Sequence, residues 1–258
     1  MTELEFHFHT GVEFSAPVNE HTFALHCLPV EDDAQKLQSY AVRIEPAAEY
    51  GLHRDGFGGW LVCGSCREPH TVFCYDSHGI VRVDGHAQAE PVNPVLKQFT
   101  PLTAMTAELE ALWQSLPLDG KTPQEQAELL NKAAAGALHY VPGLTGNSTT
   151  AGQAFALGSG VCQDYAHILL ALARRSGFAA RYCMGLVPGE GATHAWVEIA
   201  LPDGWHGYDP TFACEAGEEH LRFAVGRDAA DCRAERGIFR GSAEQTLHTE
   251  MRLDIRKG

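Results

Sequence analysis

The 258-residue sequence predicts an α+β fold, and three observations predict it. Short segments of alternating polarity fill residues 4 to about 90, apolar residues recur at spacings of three and four after residue 93, and strand-like segments return after residue 180. Alternation places successive side chains on opposite faces of a strand, whereas spacings of three and four line one face of a helix. Strands, then helices, then strands again is the pattern of helices packed on an antiparallel sheet, here preceded by an N-terminal antiparallel β module.

In the first block, Ala41-Val42-Arg43-Ile44, Thr71-Val72-Phe73-Cys74-Tyr75 and Gly79-Ile80-Val81-Arg82-Val83 read as strands, and Asp55-Gly56-Phe57-Gly58-Gly59 as a glycine-rich turn. His7 and His9 alternate on an N-terminal strand and form its polar face. Two close prolines make Glu90-Pro91-Val92-Asn93-Pro94 a linker, so the expected division is a β module over 1–92 and a catalytic domain over 93–258. Leu102, Met105, Leu109, Leu112 and Leu116 predict one helix. Thr122-Pro123-Gln124-Glu125 predicts the start of a second, with Thr as cap, Pro in the first turn and Glu closing a capping box; it is expected to run toward Tyr140. A third places Cys162 in its first turn, with Tyr165, Ile168, Leu169 and Leu172 on one face and Gly177 at its end. Ala180–Val187, His194–Ile199 and Trp205–Asp209 are strand-like, the last two joined by a turn at Leu201-Pro202-Asp203-Gly204.

Composition narrows the function classes. A net charge of −14 with only nineteen Lys and Arg argues against broad binding to nucleic acid or to anionic membranes. No apolar stretch approaches the roughly 18 residues a membrane span needs, and the N-terminus carries acids where a secretory signal would be basic. Eight Cys are too few for a disulfide-stapled secreted domain. A cytoplasmic protein with free thiols is the expectation, and Asp-Ile-Arg-Lys-Gly at the end reads as a solvated tail.

A thiol must ionise before it attacks a carbonyl, and the unpaired N–H groups and dipole of a helix start favour the anion. The same N–H groups can hold a developing oxyanion. Such a nucleophile needs a base, and the base needs a group that fixes its tautomer. Alternation puts His194, Trp196 and Glu198 on one face of their strand. A two-residue turn at Pro202-Asp203 then sets Asp209 opposite Trp196 and diagonal to His194, within side-chain reach. Cys162, His194 and Asp209 are the predicted catalytic residues.

Gly160-Val161-Cys162-Gln163-Asp164-Tyr165-Ala166-His167, Thr193-His194-Ala195-Trp196-Val197-Glu198 and Gly207-Tyr208-Asp209-Pro210-Thr211 resemble, in order, three motifs of the bacterial transglutaminase-like superfamily. The resemblance extends through Tyr140–Thr145, Val225–Asp228 and Arg236-Gly237, and into the β module at Asp55-Gly56-Phe57-Gly58 and Pro69-His70. It implies a papain-like α+β core in which Cys162 is the nucleophile, His194 the general base and acid, and Asp209 the orienting carboxylate. Such relatives include peptidases and amidases as well as amide crosslinkers. An oxyanion-stabilising Trp of the animal transglutaminases has no motif-matched counterpart; Trp113 is the only Trp between the linker and Cys162.

Gln163, Asp164, His167 and Trp196 are expected to support the nucleophile or line the substrate cleft, against the plainer reading of Asp164 as a helix-dipole acid and His167 as a core histidine. Cys63, Cys66, His70, Cys74 and His78 invite comparison with a zinc site, but they alternate like strands, and neither metal nor cofactor is expected. The leading expectation is an amide-cleaving peptidase or amidase with a peptide or protein substrate. Transfer to an amine and a non-catalytic scaffold are the alternatives, and the sequence leaves the oligomeric state open.

Overall fold

The computed structural model describes residues 1–85 and 92–256. β1 (Thr2–Leu25), β2 (Gln35–Glu45), β3 (Tyr50–Arg54), β4 (Trp60–Cys66) and β5 (His70–Val83) form the N-terminal module. Two predicted strands, at 71–75 and 79–83, are one long strand, β5. Leu4, Phe6, Phe8, Val12 and Phe14 of β1 are buried at every second or fourth position, so one face of the strand enters the core. The Asp55 turn forms as expected: Asp55 Oδ1 accepts the N–H groups of Phe57 (2.7 Å) and Gly59 (2.8 Å).

Glu90 and Pro91 of the expected linker lie outside the described residues; Asn93 caps a 3-10 turn over Pro94–Lys97. The helical block is α1 (Ala107–Gln114), α2 (Pro123–Ala135), β6 (His139–Tyr140), α3 (Ala151–Leu157), β7 (Ser159–Gly160) and α4 (Cys162–Arg175). Leu102 falls in a 3-10 turn at Pro101–Thr103, and both it and Met105 precede α1, which starts after its Thr106 cap. The predicted helix is therefore shorter, because the Thr106 hydroxyl accepts the Leu109 N–H (3.4 Å) and starts the helix there.

α2 has the predicted box: Thr122 N–H donates to Glu125 Oε2 (2.8 Å) and Glu125 N–H to Thr122 Oγ1 (3.3 Å). It ends at Ala135 rather than near Tyr140, which instead pairs in β6 with Gly160 of β7. Thr122→Ala is expected to cost about 1 kcal/mol, read as a lower urea midpoint with unchanged slope.

β8 (Ala180–Leu186), β9 (Gly189–Gly191), β10 (His194–Leu201), β11 (Gly204–Asp209), β12 (Cys214–Ala216) and β13 (Leu221–Gly226) follow, then β14 (Glu235–Arg240) and β15 (Gln245–Arg256). One antiparallel sheet has the order β12-β11-β10-β8-β13. The other runs β2-β5-β1-β15-β9, with β14, β4 and β3 attached through β1. Asp254, Ile255 and Arg256, expected as solvated tail, pair with Glu5, Leu4 and Glu3 at the end of β15. Alternation in this strand is weak, since its first six side chains are exposed, and pairing with β1 is what fixes it. A division near residue 92 leaves β9, β14 and β15 of this sheet on its C-terminal side.

Strands outnumber helices among the described residues, yet α4 is the centre of the C-terminal half. It is buried from Asp164 to Arg174, the polar Asp164, His167 and Arg174 included, and Val197 and Ile199 of β10 share its core. Phe6 and Phe8 of β1 meet the ring of Phe223 in β13 at 5.5 and 5.3 Å, locking one sheet to the other. No helix among the described residues is long and apolar enough to cross a membrane.

Candidate active site

The site begins where α3 stops. Gly158 adopts φ +65 at the α3 terminus, a left-handed turn that glycine makes without strain, and the chain re-enters a helix at Cys162. Asp164 folds back over this junction: its Oδ2 accepts the Val161 N–H (2.8 Å) and the Thr145 hydroxyl (2.6 Å). A Cβ at Gly160 would stand 2.6 Å from that oxygen, so the capping carboxylate requires glycine there. Asp164 thus fixes the 141–149 loop beside the nucleophile, while burial pushes its carboxyl up despite the two donors. Cys162 is half-buried in the first turn, where helix geometry leaves its own N–H and that of Gln163 without intrahelical acceptors.

The hairpin that delivers His194 closes as predicted. Leu201 pairs with Gly204 across Pro202-Asp203, and Val197 with Tyr208, which sets Asp209 diagonal to His194. His194 Nε2 lies 2.6 Å from Asp209 Oδ2. The Cys162 thiol lies close to the His194 ring without a formed hydrogen bond, and Nδ1 is the nitrogen left to meet it. Burial opposes a charge on His194, but Asp209 and Cys162 outweigh it and lift the imidazole to about 9. Asp209 is fully buried; burial opposes its charge as well, yet the bonds from His194 and His220 hold its carboxyl well below the usual carboxylate range. The structure therefore joins His194 to Asp209 directly and sets Cys162 near the same imidazole.

Four further residues were expected near the site. Gln163 donates to the Gly146 carbonyl (3.3 Å) on the nucleophile loop. Trp196 is buried with its ring 6.2 Å from that of His194, a packed support. His167 lies deeper along α4, where Nε2 accepts the Ala229 N–H (3.2 Å) and burial holds the ring near 4. It braces a core loop and does not reach toward the thiol. Trp113 donates to Ser176 Oγ (2.8 Å) beyond the far end of α4, opposite Cys162.

Three site residues escaped the sequence reading. His220 Nε2 lies 3.2 Å from Asp209 Oδ2, while its Nδ1 accepts the Gly217 N–H (3.3 Å). That bond puts the ring proton on Nε2, so His220 donates to the same carboxylate oxygen as His194. Phe212, three residues past Asp209, stacks on His194 at 5.0 Å and is 60% exposed. Tyr182 lies beside Cys162, and burial and that thiol push its phenol up. Phe212 directly follows the third motif and could have been suspected; His220 and Tyr182 carry no local signal.

The cysteine and histidine cluster of the β module does not converge. Cys66 Sγ faces the Pro46 carbonyl, Cys74 Sγ faces Glu45, and His70 Nδ1 faces the Glu68 carbonyl. Among the described residues no group of three or more His, Cys, Asp and Glu is arranged to hold a metal ion. All eight cysteines are free.

A profile of the transglutaminase-like superfamily matches residues 111–210, and one of the bacterial transglutaminase-like N-terminal region matches 4–82. An uncharacterised protein of Mycobacterium leprae is 27% identical over 263 residues, spanning 92% of this chain and 93% of its own. One from Mycobacterium tuberculosis is 27% identical over 256 residues, spanning 83% and 80%. The crystal structure of a candidate cysteine protease from Cytophaga hutchinsonii superposes with a TM-score of 0.81 at 19% identity, covering all of this chain and 91% of that one, and so shares the fold. With its motifs in contact and both profiles matched in order, the chain belongs to the transglutaminase-like superfamily and carries the bacterial N-terminal region ahead of the core.

Proposed function

We propose that this protein is a cysteine enzyme that opens amide bonds through a thioester on Cys162, as a peptidase or amidase. The observation that carries the reading is His194 bonded to Asp209 at 2.6 Å with the Cys162 sulfur near the same ring, which favours its protonated form to about pH 9. An imidazolium beside a sulfur is the partner a thiolate needs. With the proton already on His194, sulfur attacks the carbonyl carbon while the oxygen takes the charge. The N–H groups at the start of α4 stabilise that oxyanion. Collapse breaks the C–N bond, and the imidazolium proton passes to the leaving nitrogen. Water, losing a proton to His194, then attacks the thioester; the C–S bond breaks, releasing the acid and regenerating the thiolate. Exposed Tyr140, Leu144 and Phe212 offer an apolar rim suited to a peptide or protein substrate. Eight free thiols fit a reducing, cytoplasmic setting.

Brief treatment with iodoacetamide at neutral pH, followed by intact-mass analysis, tests the nucleophile. One rapid adduct is expected on the wild type, none at the same time on Cys162→Ala, and a much slower one on His194→Ala. Equal labelling of several cysteines, indifferent to His194, would sink the reading. Peptides incubated with and without a primary amine then separate hydrolysis from amine transfer, by the mass of the product.

A further inference from the structure

Between the inner face of the N-terminal sheet and the catalytic core lies a cleft of about 600 Å3, within the roughly 300–1,000 Å3 of small-ligand sites. Its lining includes Gln163, the residue after Cys162, and Thr193, the residue before His194, so it opens beside the proposed nucleophile. At its other end lie Thr10 and Tyr75, which face each other across the β1–β5 ladder, and Glu235 at the start of β14. Met184, Phe239 and Met251 add apolar lining.

The oxygens of this floor are anomalous. Thr10 is 1% exposed and Tyr75 fully buried, yet Thr10 Oγ1, Tyr75 Oη and Glu235 Oε2 are all buried without a hydrogen-bond partner. Thr10 Oγ1 stands close to the phenol without meeting hydrogen-bond geometry. Buried polar atoms are nearly always paired, and three unpaired ones lining one cleft mark a place where a ligand completes the bonding. The three groups also sense each other: burial, then the Glu235 charge, push the Tyr75 phenol up. Burial lifts the Glu235 carboxyl to about 7, and Arg233 and Arg236 also line the cleft.

We infer that this cleft takes a primary ammonium group carried by the peptide substrate, with the ammonium on Thr10, Tyr75 and Glu235 and the apolar stem along Met184 and Met251. An ammonium has three donors and no acceptor, which matches three oxygens that can all accept. A carboxylate or phosphate would meet the Glu235 charge instead. The ammonium has two possible sources, the free N-terminus of the peptide and a lysine side chain. The cleft's place in catalysis rests on Cys162 being the nucleophile; its occupancy does not.

The test uses the full chain as Cys162→Ala and fluorescence anisotropy with one fluorescein-labelled hexapeptide, made with a free or acetylated N-terminus and with lysine or norleucine. Blocking one of the two amines is expected to weaken binding about tenfold or more, and which one matters identifies the source. Glu235→Gln should weaken the amine-bearing peptide to the level of the blocked one. Tyr75→Phe should weaken it less while leaving the melting temperature equal or higher, since no internal hydrogen bond is lost. The inference falls if the doubly blocked peptide binds as well as the free one, or if Glu235→Gln binds all forms like its parent at an unchanged melting temperature. Because the measurement needs no turnover, an inactive Cys162 would leave its result standing.

Discussion

Asp209→Asn is expected to lower kcat on a peptide amide by about 10^3 to 10^4-fold, the scale seen when a protease triad carboxylate becomes an amide. Both carboxylate oxygens accept from donors here. Oδ1 takes the N–H groups of Thr211 (2.9 Å) and Phe212 (3.3 Å), and Oδ2 takes His194 and His220. An asparagine must turn its NH2 toward one of these pairs. Kept on the backbone N–H groups, its oxygen leaves NH2 facing His194, and the imidazole must move its proton to Nδ1, where it can no longer accept from Cys162. The alkaline limb of kcat/KM, expected near pH 9 in the wild type from the raised His194, should also move down, since the carboxylate that favours the imidazolium is gone. A variant that kept its rate within threefold and its limb in place would show that Asp209 has no orienting role.

Arg174→Ala is expected to be the most destabilising single change outside the site, by about 3–5 kcal/mol, or roughly 10 °C in melting temperature. The Arg174 side chain is buried at the end of α4. It donates to the carbonyls of Leu96 (3.1 Å), Ala180 (3.0 Å) and Arg227 (2.5 Å) and to Thr103 Oγ1 (2.7 Å). One guanidinium thus ties the segment entering the helical block to the central helix, the first strand of the catalytic sheet and the loop after β13. Alanine leaves four acceptors facing a void, whereas Arg174→Met fills the volume and separates packing from bonding. A loss below about 1 kcal/mol in urea unfolding would mean that water reaches these carbonyls freely.

Much of the site was legible because its determinants are local. The Thr122 box and the Pro202-Asp203 turn each depend on residues a few positions apart, and each sits where the sequence suggested. The hairpin register then carried Asp209 to His194 without knowledge of any distant contact. His220 was not legible: it reaches Asp209 only because β12 returns beside β11 before the chain crosses to β13 at the far edge, and nothing around Gly217-Glu218-Glu219 marks that return. The Leu102–Leu116 helix was over-extended because apolar spacing alone cannot see that Pro101 and Thr106 start separate turns.

Local signals were enough for the broad succession of a strand block, a helical block and a second strand block, for the start of α4 at Cys162 and for the pairing of His194 with Asp209. These follow from caps and from the period of two in strands, which act between near neighbours. It took the packing of the whole chain to set β15 against β1, pairing Glu3 with Arg256, and to bring Glu235, Thr10 and Tyr75 into the lining of one cleft. Alternation states which face of a strand is buried but not which strand lies beside it. That choice is settled by the shape of the whole core, where Phe6 and Phe8 must find Phe223.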